Sequence, residues 1–171
     1  MTSSSMDELT ESQQQALREW FRDHWQSGVL FNRHLGVKVT KWDEEGAVFL
    51  LPFADHLSAH DGIFHGGVVA TLIDTCGCGA VMAGHDYTKG SRCTTVSMTV
   101  NYLSVAPGED LRAEAVCTRR GRVANYAEVK VYGSTSDKLL AQGLVTVNVS
   151  GTREGVQRVL ARHGRDMEAG S

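Results

Sequence analysis

Apolar and polar residues alternate along this chain with two periods, and each change of period marks an element. Ala16, Leu17, Trp20, Phe21 and Trp25 recur at helical intervals and form one apolar stripe. Thr10 and Gln13 have capping-box spacing ahead of it, and Gly28 is a natural stop. This predicts a packing helix over about Ser12–Gln26. Val37 and Val39 then alternate with Lys38 and Thr40, which predicts a strand over Leu35–Lys41. Asp43 to Gly46 reads as a turn into a second strand, Ala47–Pro52, apolar on both faces. A mixed polar loop from Ala54 to Phe64 carries His56, His60 and Asp61.

The run from His65 to Gly84 is apolar nearly all round, as expected of a helix enclosed by other structure. Gly77 and Gly79 inside it cost about 1 kcal/mol each relative to alanine, so a close approach by a neighbouring backbone or helix is expected there. Period two then returns. Over about Arg92–Ser104, Val96, Met98, Val100 and Tyr102 form one face, and Thr95, Ser97, Thr99 and Asn101 the other. Pro107-Gly108 turns the chain. Leu111, Ala113, Ala115 and Cys117 alternate in a strand ending near Arg119, a third strand covers Val123–Tyr132, and a fourth covers Leu139–Val149. Short turns between successive strands predict antiparallel pairing. The order of helix, two strands, buried helix and four strands predicts an α+β fold, a curved antiparallel sheet around one central helix. A short terminal helix is expected over residues 154–163.

Composition narrows the picture. The chain has 171 residues, enough for one domain with its own core. The expected division is a flexible tail over 1–9, a single domain over 10–150 and a partly disordered extension over 151–171. Seventeen Lys+Arg against twenty Asp+Glu give a net charge of -3, so a nucleic-acid partner is not expected. The N-terminus lacks the charged-then-apolar layout of a signal peptide. The one membrane-like run, Gly66–Gly84, has Asp74 near its middle. A carboxylate there costs roughly 2.5–3.5 kcal/mol in a bilayer, so the run reads as a helix inside protein and no membrane partner is expected. Four cysteines without a CxxC pair read as reduced, packed thiols, which suits the cytoplasm. Cys76 and Cys78 have no evident activating cation, which argues against a cysteine nucleophile. The irregular spacing of His56, His60, Asp61 and His65 argues against a metal site.

The candidate chemistry lies between Gly62 and Asp74. Asp74 stands in an apolar helix with no cation one turn away. Such a carboxylate serves either catalysis or a structural bond to a backbone group or partner subunit. His65-Gly66-Gly67 opens the helix. First-turn N–H groups at the positive end of a helix dipole suit a carbonyl oxygen becoming an oxyanion, and the same glycines also serve a tight turn into the helix. His65 reads as a hydrogen bonder at the helix start or as a base.

HGGVVATLID, set between a strand pair and a four-strand run, resembles the hotdog-fold acyl-CoA thioesterases of the PaaI-like group. That family carries an acidic residue eight positions after the first glycine of HGG, as Asp74 follows Gly66 here. VSMTVNYLSVAPGEDLRAEA and the stretch from Arg119 to Val147 resemble its later strands, so the likeness covers about Leu35 to Val149. The resemblance implies Asp74 as general base or nucleophile, Gly66 and Gly67 as the binder of the thioester oxygen, His65 as the family's histidine, and Thr95 as a hydroxyl that places water or the carboxylate. It implies substrate held between two protomers, Asp74 of one facing the His65–Gly67 loop of the other, with dimers pairing again into tetramers. Many members carry Asn or Gln six residues before the HGG histidine. Here that position is Ala59, and His60 beside it is the candidate replacement. Arg119, Arg120 and Arg122 around Gly121 form either a solvated turn or a contact to the phosphates of coenzyme A. The implied reaction is hydrolysis of an acyl-CoA without metal or organic cofactor. Its rivals are a non-catalytic acyl-CoA-binding module of the same fold and a hotdog dehydratase or hydratase. Trp20, Trp25, Phe53 and Phe64 read equally as an acyl tunnel or as core.

Overall fold

The computed structural model describes residues 9–60, 62–151 and 153–168. The tail expected over 1–9, apart from Leu9, lies outside these residues, as do Asp61, Thr152 and residues 169–171. The first helix, α1 (Glu11–Asp23), opens on the expected capping box. The Thr10 hydroxyl accepts the Gln13 N–H, and the Gln13 side chain accepts the Thr10 N–H. Its stripe buries Leu17 and Phe21. The chain then winds through a wide π turn, His24–Gly28, and a short helix α2 (Leu30–Leu35) that ends at Gly36 with φ 77°. Leu35 is therefore the last residue of a helix and does not open a strand. Six residues are too few for a helical period to stand out. Buried Asn32 helps hold α2 in place, donating to the Trp25 carbonyl at 2.8 Å and accepting the Thr75 hydroxyl at 3.0 Å.

Strands β1 (Lys38–Asp43) and β2 (Gly46–Leu51) follow. The expected loop contains a 3₁₀ turn, Asp55–Leu57, and a small hairpin of β3 (Ser58–His60) and β4 (Ile63–Phe64). The apolar run is α3 (Gly66–Ala83). After it come β5 (Arg92–Tyr102), β6 (Leu111–Arg120), β7 (Asn125–Gly133), β8 (Leu139–Ser150) and α4 (Arg153–Glu168), the last longer than expected. By length and composition α3 could cross a membrane, and 61% of it is buried within the fold.

Six strands form one antiparallel sheet in the order β1-β2-β6-β7-β8-β5. The expectation that successive strands pair fails at one place: β5 pairs with β8 and not with β6. The segment 103–110 is a crossover, tied to the small hairpin by the Phe64 N–H donating to the Ala106 carbonyl at 3.1 Å. An all-round apolar helix needs a wide wrap, and a strand added at the far edge supplies it. The neighbour at Gly77 is a strand side chain and not the backbone or helix expected, since a Cβ there would lie 2.7 Å from Val145 Cγ2 on β8.

The β5–β8 register slips between Thr95 and Ser97, leaving Val96 opposite no residue of β8 and 63% exposed. Thr95 opposes buried Val147, and after the bulge Met98, Val100 and Tyr102 oppose buried Val145, Gly143 and Ala141. Thr95 thus shares the helix-facing side with residues that strict alternation assigns to the other face. A bulge re-aims a strand in this way.

Candidate active site

His65, extended at φ -63° and ψ 135°, caps α3. Its ring Nδ1 accepts the Gly67 N–H at 2.9 Å and its carbonyl accepts the Val68 N–H. Of the two readings of His65, this geometry is the hydrogen bonder at the helix start. It also engages the Gly67 N–H. The Gly66 N–H, at the first helical position, has no intrahelical acceptor and sits at the positive end of the dipole. The Tyr102 hydroxyl donates to the Gly66 carbonyl at 2.9 Å, tethering the end of β5 to this turn. Sequence reasoning counted Tyr102 as an apolar face residue; its phenol was the available signal.

Asp74 is half-buried two turns further on. Its Oδ1 accepts the Thr95 hydroxyl at 2.7 Å, which brings together two of the expected site residues. Cys78 Sγ lies 3.2 Å from Thr95 Oγ1 and 3.9 Å from the same Asp74 oxygen. Cys78, expected only as a packed thiol, shares a helix face with Asp74 through their i, i+4 spacing. Among the described residues Asp74 makes no ion pair. Burial pushes the Cys76 thiol far up, a poor setting for a nucleophile.

Eight residues separate Gly66 from Asp74, so they stand about 12 Å apart along α3 and roughly 80° apart around it. One chain does not bring both to the same atom. Beside this helix the sheet ends at β5, whose outer edge has no neighbouring strand among the described residues. Val96, Leu103 and Val105 are exposed along or just beyond it. A cleft of about 340 Å³ flanks the start of α3, lined by Phe64, Gly66, Val69, Tyr102, Val105 and Leu140 among others. Phe64 thus serves cleft and core together, packing edge-on against Phe53 at 5.0 Å. Trp20 stacks on His24, and the Trp25 indole donates to the Thr75 carbonyl.

The remaining candidates lie elsewhere in the chain. Ala59 and His60 sit exposed in β3, His60 paired with Ile63. His56 faces His34, with ring centroids 5.9 Å apart, and Asp61 lies outside the described residues. Arg120 donates to the Ala80 carbonyl at 3.1 Å, so its guanidinium serves the C-terminal end of α3. Arg119 and Arg122 are exposed at the same turn. Ala80 is fourteen residues from Gly66, so within one chain this basic turn lies about 21 Å along α3 from the HGG turn. A hydroxyl-held carboxylate, a free helix-start N–H and an apolar cleft can together activate water and polarise a carbonyl.

Comparison with known proteins bears on family and fold. A family described as the thioesterase superfamily matches residues 61–139. A solved structure of a protein from the thioesterase superfamily is 30% identical, with a TM-score of 0.69 over 79% of this chain and 98% of that one. Thioesterase superfamily member 2 of Mus musculus shares the fold at 24% identity, TM-score 0.66, over 83% of this chain and 100% of that one. Acyl-coenzyme A thioesterase 13 of Mus musculus is 34% identical over 83 residues, 48% of this chain and 57% of that protein. The match spans less than two thirds of the length of the curated relatives.

Proposed function

This chain belongs to the thioesterase superfamily, and from that premise we propose that it hydrolyses an acyl-CoA thioester to a free acid and CoA. The observation that carries the reading is Asp74, a half-buried carboxylate without an ion-pair partner among the described residues, held by Thr95 at 2.7 Å. Its second oxygen takes the proton of an attacking water, or the carboxylate itself attacks the carbonyl carbon. The Gly66 N–H receives the developing oxyanion. The C–S bond then breaks and the CoA sulfur leaves, taking the proton that Asp74 removed from water; in the nucleophilic course CoA leaves as the thiolate, and water then hydrolyses the mixed anhydride on Asp74, which frees the acid, restores the carboxylate and supplies the proton. This reaction is redox-neutral and calls for no cofactor.

The separation along α3 supports a site shared by two protomers, Asp74 from one and Gly66 from the other. The open, apolar edge of β5 supports a homodimer built on that strand, with dimers pairing again. In that arrangement Arg119 and Arg122 of a neighbouring protomer are the candidates for the CoA phosphates, and His60 for the water-placing role that Ala59 lacks. The four free thiols suit the proposed cytoplasmic setting. A second reading, an acyl-CoA-binding module without turnover, draws support from Ala59.

The test is release of free CoA from acetyl-, octanoyl- and phenylacetyl-CoA by wild type and Asp74→Asn at matched oligomeric state. The variant is expected to lose about 10²–10⁴-fold in kcat. Equal turnover would remove Asp74 from its role, and binding without turnover in wild type would favour the module.

A further inference from the structure

Thr95 has one hydroxyl hydrogen, and the 2.7 Å bond to Asp74 Oδ1 takes it. Cys78 Sγ lies 3.2 Å from that hydroxyl oxygen, so Cys78 is the donor there and its S–H points into a Thr95 lone pair. Cys93 stands two positions before Thr95 on the same face of the strand. The neighbouring Cys78 thiol, together with burial, pushes the Cys93 thiol up. The donors therefore run one way, from Cys78 to Thr95 to Asp74. The helix supplies Cys78 and Asp74 one turn apart, and the strand supplies Cys93 and Thr95 from its helix-facing side. At 3.9 Å from Asp74 Oδ1, Cys78 reaches the carboxylate weakly by itself and strongly through Thr95.

We propose that Cys78 is a positioning residue for the thioester hydrolysis: its S–H fixes the Thr95 rotor, which keeps the Thr95 hydrogen on one Asp74 oxygen and leaves the other for water. This rests on the reading of Asp74 given above. The competing role is plain packing, since Cys78 is 6% exposed and a buried thiol fills space as a small hydrophobe.

Three substitutions separate the two roles. Cys78→Ser keeps a donor, Cys78→Val keeps apolar bulk without a donor, and Cys78→Ala keeps neither. With the panel member that wild type hydrolyses fastest, Val and Ala are expected to lower kcat about tenfold with KM within about twofold. Ser is expected to stay within about threefold of wild type. Melting temperature and oligomeric state are measured for each. The proposal is overturned by Val matching wild type while Ser falls with Ala, the order that packing dictates. If Val yields no folded oligomer, the Ser and Ala pair decides: a Ser rescue supports the donor role and equal losses refute it. Asp74→Asn in the same series separates the two levels. If it leaves turnover intact, the reading of Asp74 fails. If it abolishes turnover while Val is silent, the positioning role alone fails.

Discussion

Replacing Gly66 with proline deletes one hydrogen-bond donor and little else. Gly66 is the first residue of α3, where the N–H has no intrahelical acceptor and a proline φ fits. The residue before a proline must be extended, and His65 already is, at ψ 135°. A Cβ at Gly66 would meet Tyr102 at 3.6 Å, an ordinary contact. The Gly67 N–H keeps its bond to His65 Nδ1. The fold is therefore expected to hold, with a melting temperature at or slightly above wild type because proline restricts the unfolded chain. Catalysis is expected to suffer by the worth of one oxyanion donor, about 2.7–4 kcal/mol or 10²–10³ in kcat. The assay is steady-state release of CoA alongside thermal melting and sizing of the oligomer. A folded Gly66→Pro oligomer within about threefold of wild-type kcat would refute the placement of the oxyanion at this turn.

Two further outcomes follow. If each site takes Asp74 from one protomer and Gly66 from its partner, mixing Asp74→Asn with Gly66→Pro chains restores one intact site per hybrid dimer. Refolding equal amounts together should then recover roughly a quarter of wild-type turnover, whereas a site within one chain recovers none. A pH effect on stability is expected at His85, whose ring bonds the Gly90 carbonyl at 3.0 Å. Burial lowers its pKa below 6.5, more than Gly90 and Asp86 raise it. The unfolded chain then binds more protons as pH falls through 6.5, so stability is present above that pH and is lost below it. Melting temperature should drop from pH 7.5 to 5.5, less steeply in His85→Gln, with His24 (also lowered by burial) keeping part of the slope. Identical slopes would exclude His85 as a contributor.

The parts of the fold legible in the sequence were those with long, clean periods. α3 announced itself as an apolar run opened by HGG, and α1 by its stripe and capping box. Asp74 stood out because a carboxylate in such a run needs an explanation. Thr95 was named from family likeness, yet alternation alone pointed it away from the helix. Its bond to Asp74 depends on a bulge, which comes from pairing with β8 and leaves no mark in the local pattern. α2 escaped notice because a six-residue helix, held partly through Asn32 and Gly36, has no period to show. The crossover after β5 escaped because Pro107-Gly108 reads the same in a hairpin as in a longer connection. Arg120 reads from sequence as a solvated turn residue or a phosphate contact, and its bond to Ala80 is a long-range contact that no local rule predicts.

Thr95 and Tyr102 are seven steps apart, and a regular ladder sends odd intervals to opposite sides. Here both hydroxyls reach the same helix, one at Asp74 and the other at Gly66. The looped-out Val96 changes the parity of the interval by one. Two attachments drawn from opposite halves of an alternating sequence thereby hold the middle and the start of α3 together. What the position contributes to these two attachments is a count and not a chemistry, since its side chain opposes no residue of β8. Anyone redesigning this strand should conserve the number of residues between the two hydroxyls and the one unmatched place among them.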